Sequence, residues 1–191
     1  ATNSAGASTE TKTNYITVTE YVITYCSSAG TNTTKEWINS VSLGTFSKNS
    51  GNNGGYGDFT SPAIVVESGN TYSLALSPGF SGKSRTENWR VWIDYNMDGD
   101  FEDGGEEVFS AIQSKSTVSG NITIPGGLTG ETRMRVSMNY SALPGSCEVF
   151  TFGEVEDYTL SFSTPVPQAP VADFSGNPTT LIVGGSVQFT V

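Results

Sequence analysis

An acidic segment between residues 94 and 107 has the residue types best suited to binding a metal ion. It reads DYNMDGDFEDGGEE and carries seven carboxylates without a basic residue. Such a density of like charge repels itself unless a cation lies within it. The order Asp-x-Asn-x-Asp-Gly-Asp presents an oxygen at every second residue and places a glycine, Gly99, where the chain must turn back sharply. Hard divalent cations, usually Ca²⁺, take six to eight oxygen ligands. The pattern therefore predicts a calcium-binding loop.

The predicted ligands are side-chain oxygens at alternate positions, a backbone carbonyl near the middle of the loop and a glutamate at its end. The twelfth position counted from Asp94 is Gly105 rather than glutamate, and the flanking residues are typical of strands. We therefore predict a calcium loop in a β context and not an EF-hand. A solvated acidic hairpin tip is the alternative interpretation. The predicted ligand residues are Asp94, Asn96, Asp98, Asp100, Glu102, Glu106 and Glu107.

A second candidate site consists of aromatic side chains that lie next to basic ones. Trp92 shares one face of a predicted strand with Arg90, while Trp89, Val91 and Ile93 share the opposite face. Exposed Trp and Tyr rings can stack on sugars. The alternative for Trp92 is burial under a second layer, and the alternative for the arginines is cross-strand salt bridges. The predicted ligand-binding residues are Trp92, Arg90, Tyr56, Trp37, Arg135 and Arg133.

The acids of segment 154–157 are a third feature. Glu156 has the same parity as Tyr158, which we expect to face the core, and a carboxylate that faces the core needs a partner. Two interpretations of this carboxylate are open: a salt bridge that anchors the strand, or direct ligation of the metal. The candidates for that partner are Arg90, Arg133, Arg135 and the metal ion.

Composition excludes several kinds of catalytic site. The chain contains no histidine, so Ser-His and Cys-His nucleophile systems and His-ligated zinc are excluded. A two-carboxylate glycosidase is compatible with the composition. However, the acids cluster in a loop of metal-binding type rather than in a pair across a cleft. We therefore predict that the protein is not an enzyme.

The elements that hold these residues are predicted to be strands. Short runs rich in Val, Ile, Thr and aromatic residues are separated by Gly, Asn, Ser and Pro. Alternation marks residues 88–94 and 132–140 as strands, one or two strands are predicted over 15–26, and 63–66 with 71–76 are predicted to form a hairpin. We predict an all-β fold, a two-sheet antiparallel β-sandwich of jelly-roll or Ig-like type.

Charge limits the partners of the chain. The net charge of −10 argues against binding to nucleic acid and anionic membranes, and the seven acids of the acidic segment account for all but −3 of it. No apolar run of the roughly eighteen residues that a membrane span needs is present. We expect a monomer that binds neither nucleic acid nor membranes.

The two cysteines, Cys26 and Cys147, lie beside Ser and Gly rather than in apolar strands. An even number of cysteines in a polar chain is typical of a secreted protein with one disulfide. Such a bond would close a loop of about 120 residues and stabilise the fold by roughly 4–5 kcal/mol in the chain-entropy model. Two free buried thiols are the alternative.

Three separated motifs resemble one known family. Tyr25-Cys26-Ser27, the stretch WIDYNMDGDFEDGGEEVF and the run FGEVEDYTLSF occur in the order found in the GEVED domain, which is named for the residues at 153–157 here. The resemblance covers about residues 21–163. It implies a secreted, multidomain bacterial protein, because GEVED domains occur beside proteases, glycoside hydrolases and Ig-like repeats. The family has no general assigned activity.

The C-terminal tail resembles a second family. PVADFS and GGSVQF are similar to the first strands of a PKD domain, an Ig-like spacer module of which most is missing. The chain is expected to be a piece of a longer secreted protein. The predicted organisation is a flexible linker at 1–14, the GEVED-like sandwich at 15–163, a Pro-rich linker at 164–170 and a partial PKD-like segment at 171–191.

These observations together predict a calcium-stabilised, non-catalytic accessory module of a secreted bacterial enzyme. Its expected ligand is a polysaccharide, with an anionic or sulfated marine glycan as one candidate, and its expected covalent neighbours are a catalytic domain and PKD-like repeats. The alternative is a structural spacer or a protein-docking domain of a secreted protease or surface protein. Burial of Trp92 would favour that alternative.

Overall fold

The computed structural model describes residues 22–165, together with the strand positions 2–3, 6–7, 175–177 and 188–190. No helix among the described residues is long and apolar enough to cross a membrane. The strands are β1 (Thr2–Asn3), β2 (Gly6–Ala7), β3 (Ala29–Asn32), β4 (Glu36–Leu43), β5 (Phe46–Asn49), β6 (Tyr56–Glu67), β7 (Thr71–Phe80), β8 (Glu87–Ile93), β9 (Glu107–Ser114), β10 (Val118–Thr123), β11 (Gly130–Asn139), β12 (Val149–Ser163), β13 (Ser175–Asn177) and β14 (Gln188–Thr190).

Two sheets form the body of the fold. The first sheet has the order β10-β7-β4-β5 and is antiparallel. The second sheet contains the antiparallel order β12-β11-β8-β9, and β3 and β6 both pair in parallel with the long strand β12. β1 with β2, and β13 with β14, form separate two-stranded ladders. The predicted two-sheet β-sandwich is confirmed, although its second sheet is mixed rather than purely antiparallel.

Apolar side chains at alternate positions fill the space between the two sheets. Trp89, Val91 and Ile93 of β8 are fully buried in one cluster with Leu74 and Leu76 of β7. Because successive side chains of a strand point to opposite faces, the residues between them lie on the outer face of the second sheet. That outer face carries Arg90, Trp92, Arg133 and Arg135.

Two predicted elements differ from the structure. Residues 22–26 make no strand, and 15–21, the rest of that predicted strand, lie outside the described residues. Residues 22–28 instead cover part of the outer face of the second sheet, where Tyr25 stacks on Phe101. The predicted hairpin at 63–66 and 71–76 is also wrong, because β6 joins the second sheet and β7 joins the first. The turn between them connects the two sheets.

The predicted disulfide is confirmed. Cys26 and Cys147 are bonded, with their Cα atoms 5.5 Å apart and a sequence separation of 121 residues. The bond attaches segment 22–28 to the loop that connects β11 to β12. It therefore holds in place the segment that covers the outer face of the second sheet.

Two buried carboxylates lie where β4 and β8 begin. Glu36 is 1% exposed, and its Oε2 lies 3.1 Å from Nε of Arg85. Glu87 is fully buried, and neither of its carboxylate oxygens has a hydrogen-bond partner among the described residues. Burial raises the pKa of Glu87 to about 7; the nearby Glu36 carboxylate adds to this rise and Arg85 opposes it.

This pKa predicts a loss of stability with rising pH. The folded chain keeps a proton on Glu87 that the unfolded chain releases between pH 4.5 and about 7, so stability should fall through that window by roughly 2–3 kcal/mol for this group. Glu87→Gln, which cannot ionise, should reduce the pH dependence by that amount. Urea unfolding at pH 5 and pH 8, with EDTA present throughout, measures it. An unchanged pH dependence in the variant would contradict this assignment.

Candidate functional site

The acidic loop connects β8 to β9 and turns where the calcium-loop spacing predicts. Gly99, the sixth position counted from Asp94, has a φ of +99°, a conformation that favours glycine. Asp94 is fully buried. Its carboxylate accepts hydrogen bonds from the backbone N–H groups of Met97 (2.6 Å) and Gly99 (3.1 Å) and from the Tyr25 hydroxyl (2.7 Å). The first residue of the loop therefore holds the turn in place.

Glu106 closes the loop from its other end. This buried carboxylate accepts hydrogen bonds from the backbone N–H groups of Tyr95 (2.9 Å) and Asp103 (3.3 Å). Burial raises the pKa of Glu106, hydrogen bonds from loop amides oppose the rise, and the Asp94 carboxylate adds to it. Asp94 and Glu106, both predicted as metal ligands, are thus bound to the loop backbone in this structure.

Three carboxylates converge at the surface of the loop. Asp98, Asp100 and Asp103 each place an oxygen within 4.8 Å of the others. The Asn96 side-chain amide donates to Asp98 (2.9 Å) and to Asp103 (2.6 Å). The structure thus brings together three predicted ligands, Asn96, Asp98 and Asp100. It adds Asp103, which the prediction missed because the residue falls outside the alternating spacing.

The chemistry of this cluster fits a hard divalent cation. Carboxylate oxygens are ligands that Ca²⁺ prefers, and a half turn of the Asn96 amide would present its oxygen to the same point. Backbone carbonyls and water would complete a shell of six to eight oxygens. Two other predicted ligands, Glu102 and Glu107, do not belong to this cluster. Glu107 pairs with Arg90 at 3.4 Å, and the exposed Glu102 carboxylate makes no hydrogen bond or ion pair among the described residues.

Trp92 is not the exposed platform that its strand face suggested. The residue is only 4% exposed, and its ring lies 6.5 Å from that of Phe101, which is itself buried. Phe101 extends from the acidic loop and stacks on Tyr25 with the ring centroids 5.3 Å apart. The outer face of the second sheet is therefore covered at Trp92, and burial of so large an apolar ring stabilises the fold.

Arg135 is likewise structural rather than exposed. Its guanidinium, 2% exposed, forms a bidentate pair with the buried Asp157, with N–O distances of 2.7 and 2.8 Å. It also donates to the carbonyl oxygen of Ser146 (2.6 Å) and lies 5.1 Å from the centre of the Phe101 ring. Alternation placed Arg135 on the correct face of β11, but residues 22–28 and the loop between β11 and β12 cover that part of the face.

Trp37 and Arg90, two other residues predicted to bind the ligand, lie in different sheets and do not form one site. Trp37 belongs to the first sheet and packs so closely on Gly79 that a Cβ there would overlap the indole ring. Arg90 pairs with Glu107 and donates to the carbonyl oxygen of Pro144 at 3.3 Å. Cross-strand pairing, the alternative that the sequence left open, therefore describes Arg90.

The acids of β12 do not join the acidic loop. Glu154 accepts hydrogen bonds from the backbone N–H groups of Ile38 (2.9 Å), Asn53 (2.6 Å) and Gly55 (3.3 Å), and so fastens the Gly/Asn-rich loop before β6. Glu156 accepts from the Tyr158 hydroxyl at 2.5 Å, and burial raises its pKa to about 7. The Asn53 side-chain amide also donates to Glu156, at 3.5 Å. The partners of Glu156 are thus uncharged, whereas the anchoring salt bridge forms at Asp157.

A cleft of about 460 Å³ lies beside that salt bridge. Tyr56, 39% exposed, donates from its hydroxyl to Asp157 at 3.0 Å. Arg133 donates to the same carboxylate oxygen at 2.9 Å and lies over the Tyr25 ring, with Cζ 4.6 Å from the ring centre. The cleft is lined by Tyr25, Cys26, Ser27, Ser28, Ala29, Tyr56, Arg133, Arg135 and Asp157.

The cleft brings together three predicted residues, Tyr56, Arg133 and Arg135, and adds Tyr25. Sequence reasoning missed Tyr25 because it was assigned to a strand, although it belongs to the Tyr-Cys-Ser motif. Burial raises the pKa values of Tyr25 and Tyr56 to about 12, so both phenols stay protonated at neutral pH. Since the Tyr25 hydroxyl also binds Asp94, one side chain connects the cleft to the acidic loop.

Comparison with known families finds one match. Residues 88–161 match the model of the GEVED domain. The match begins in β8, spans the acidic loop and ends in β12. No curated protein matches the chain.

Solved structures show distant likenesses. They include an AA10 lytic polysaccharide monooxygenase from Streptomyces lividans (14% identity, TM-score 0.34) and a chitin binding domain from Burkholderia pseudomallei (12%, 0.35). Each aligns with 53% of this chain, which covers only 59% and 57% of their respective lengths. A CARDB domain from Pyrococcus furiosus, in complex with di-metal ions, has 12% identity and a TM-score of 0.30 over 67% of this chain and 90% of that domain. At these TM-scores the likenesses carry no argument about function.

Proposed function

We propose that this GEVED-domain chain is a non-catalytic accessory module of a secreted bacterial enzyme, and that it binds polysaccharide in the cleft beside Asp157. The observation that carries the proposal is the convergence of two tyrosines and an arginine, Tyr25, Tyr56 and Arg133, on one open cleft. Aromatic rings supply stacking surface for sugar rings, and a guanidinium supplies directional donors for their oxygens. The module would keep an attached catalytic domain near its substrate.

The charges in the cleft favour an anionic ligand. Two guanidiniums, those of Arg133 and Arg135, face the buried carboxylate of Asp157, and the exposed Asp58 carboxylate acts on Arg133 from the neighbouring strand. These charges balance locally, in a chain whose net charge is −10, so an anion meets less repulsion here than the chain's overall charge implies. The Arg133 side chain is 24% exposed, and Asp157 is its only hydrogen-bond partner among the described residues. Its other N–H groups are free to bind a sulfate or a carboxylate.

The experiment is a glycan screen by affinity electrophoresis in gels that contain agar, carrageenan, fucan, alginate or chitin. We expect carrageenan, fucan or alginate, the anionic polymers, to retard the full 191-residue chain more than neutral agar or chitin does. Retardation by none of them would overturn the proposal and leave the structural or docking role. The burial of Trp92 favours that alternative, so the proposal of polysaccharide binding depends on the cleft.

We further propose that Asn96, Asp98, Asp100 and Asp103 hold Ca²⁺, with Asp94 and Glu106 fixing the turn around them. A bound Ca²⁺ would offset two of the seven negative charges of the loop. The chain's own contacts would carry the effect to the cleft. Phe101 stacks on Tyr25, whose hydroxyl binds Asp94. The loop is therefore expected to support the position of Tyr25 without touching the ligand.

Removal of Ca²⁺ by EDTA is expected to lower the stability of the fold. A cation present at 100 times its dissociation constant stabilises a protein by about 2.7 kcal/mol, and the chelator removes that contribution. Thermal unfolding with Ca²⁺ and with EDTA measures the difference. The double variant Asp98→Asn/Asp100→Asn should unfold alike under both conditions. Asp58→Asn, which alters an exposed acid outside the loop, should respond to EDTA as the unmodified protein does. An unmodified protein that is insensitive to EDTA would contradict the calcium assignment.

A further inference from the structure

A second hollow, of about 340 Å³, lies at the end of the sandwich where β8 begins. Its lining contains three basic residues and no acid. Two hydroxyl groups and one aromatic ring complete it. The lining residues are Lys83, Ser84, Arg85, Thr86, Lys115 and Tyr140.

The basic character of this end contrasts with the acidic chain around it. A smaller hollow of about 240 Å³ shares Arg85 and Tyr140 with the first and adds Lys35, Phe152 and the carboxylate of Glu36, which pairs with Arg85. Four of the nine basic residues of a chain with net charge −10 thus line two adjoining hollows, against one acid. Like charges that gather in this way repel one another, so an anion that binds among them relieves the repulsion.

Arg85 is held in a defined position between the two hollows. Its Nε lies 3.1 Å from the buried carboxylate of Glu36, and its Cζ lies 5.4 Å from the centre of the Tyr140 ring. A guanidinium held on one side by a carboxylate and on the other by an aromatic face loses little freedom when it binds a ligand. The exposed Lys83 and Lys115 then add charge around a preorganised group.

We propose that this hollow is a second binding site for the sulfate or carboxylate groups of an anionic polysaccharide. The site combines an exposed aromatic ring with basic and hydroxyl groups, as the Asp157 cleft does. Tyr140 lies seven positions beyond Arg133, along β11 and just past its end. At strand spacing the two residues are about 23 Å apart. The two sites are therefore distinct, and a single sulfate group cannot occupy both. The choice of a glycan as the polyanion rests on the proposed function.

Dextran sulfate and uncharged dextran are the probes for this site, because they differ only in the sulfate groups. The test variant is Lys83→Gln/Lys115→Gln in the full chain, since both side chains are exposed and their loss leaves the core unchanged. The control is Thr45→Asp/Ser47→Asp. It changes the net charge by the same amount at exposed positions at the opposite end of β4. Affinity electrophoresis over a series of salt concentrations gives each dissociation constant.

We expect dextran sulfate, but not dextran, to bind the unmodified chain. The lysine variant should bind dextran sulfate roughly three- to tenfold more weakly, with a shallower salt dependence, and the control should bind like the unmodified chain. Equal weakening in variant and control, or no binding of dextran sulfate at all, would overturn the second site. Equally strong binding of double-stranded DNA, lost in the same lysine variant, would overturn the assignment to a glycan.

A cleft variant separates this proposal from the proposed function. Tyr56→Ala leaves the basic hollow intact, because Tyr56 lies in β6 beside Asp157. If Tyr56→Ala binds every glycan normally while the lysine variant loses dextran sulfate, the Asp157 cleft is wrong and the second site stands. If only Tyr56→Ala weakens binding, the second site is wrong and the cleft stands.

Discussion

Replacement of Asp157 with alanine is expected to destabilise the protein by about 3–5 kcal/mol, because it leaves a buried arginine without its counter-ion. The Arg135 guanidinium is 2% exposed and takes both oxygens of Asp157, which also accept hydrogen bonds from Arg133 and Tyr56. Loss of the carboxylate removes all four hydrogen bonds at once. Urea unfolding of the variant measures the change.

A control lies directly across the sheet from Asp157. Asp58 is its register partner in β6, but Asp58 is exposed, and its hydrogen bonds within the described part of the chain come from the hydroxyl and backbone N–H of Thr60. Asp58→Ala should therefore cost about 1 kcal/mol or less. In the double variant Asp157→Ala/Arg135→Met, no uncompensated charge remains in the core, and a large part of the stability should return. A loss for Asp157→Ala no greater than that for Asp58→Ala would contradict the anchoring role of this ion pair.

Loss of the Cys26–Cys147 disulfide is expected to have a comparable effect. The bond closes a loop of about 120 residues, and the chain-entropy model assigns roughly 4–5 kcal/mol to that closure. Cys26→Ser/Cys147→Ser should show this loss in urea unfolding, and reduction of the unmodified protein should reproduce it. The reducing agent should leave the double variant unchanged, which separates loss of the bond from other effects. Equal unfolding midpoints with and without reductant would contradict the prediction.

The disulfide is also expected to support ligand binding in the cleft. Cys26 lies next to Tyr25 and lines the cleft, and Arg135 donates to its sulfur at 3.4 Å. Once the bond is lost, the remaining contacts of segment 22–28 include the hydrogen bonds of Tyr25 and Ser28 and the packing of the Tyr25 ring on Phe101. Glycan binding should therefore weaken in the double cysteine variant even below its unfolding midpoint.

The strands and the acidic loop were readable from sequence because their signals are local. The alternation in β8 and β11 depends only on side chains that point to opposite faces, and it sorted Trp89 from Trp92 correctly. The calcium-loop spacing located the turn at Gly99 for a similar reason, since only glycine readily adopts that backbone conformation.

The segments that cover the outer face of the second sheet could not be predicted from the sequence in the same way. Parity shows which face a side chain occupies, but not whether another segment lies on that face. Phe101 of the acidic loop folds back over Trp92, and residues 22–28, which are distant in sequence, lie beside Arg135. The connection between β6 and β7 was misread because the same turn residues serve a hairpin and a crossing between sheets.

The central claim is that polysaccharide binds at the Asp157 cleft, and calorimetric titration of cleft variants tests it most directly. With the polymer that retards the protein most, Tyr56→Ala should bind about tenfold more weakly. Tyr56→Phe, which keeps the ring and loses the hydrogen bond to Asp157, should keep most of the affinity. Val65→Ala, at an exposed position of the same strand, should bind normally. An affinity in Tyr56→Ala equal to that in Val65→Ala would contradict the claim.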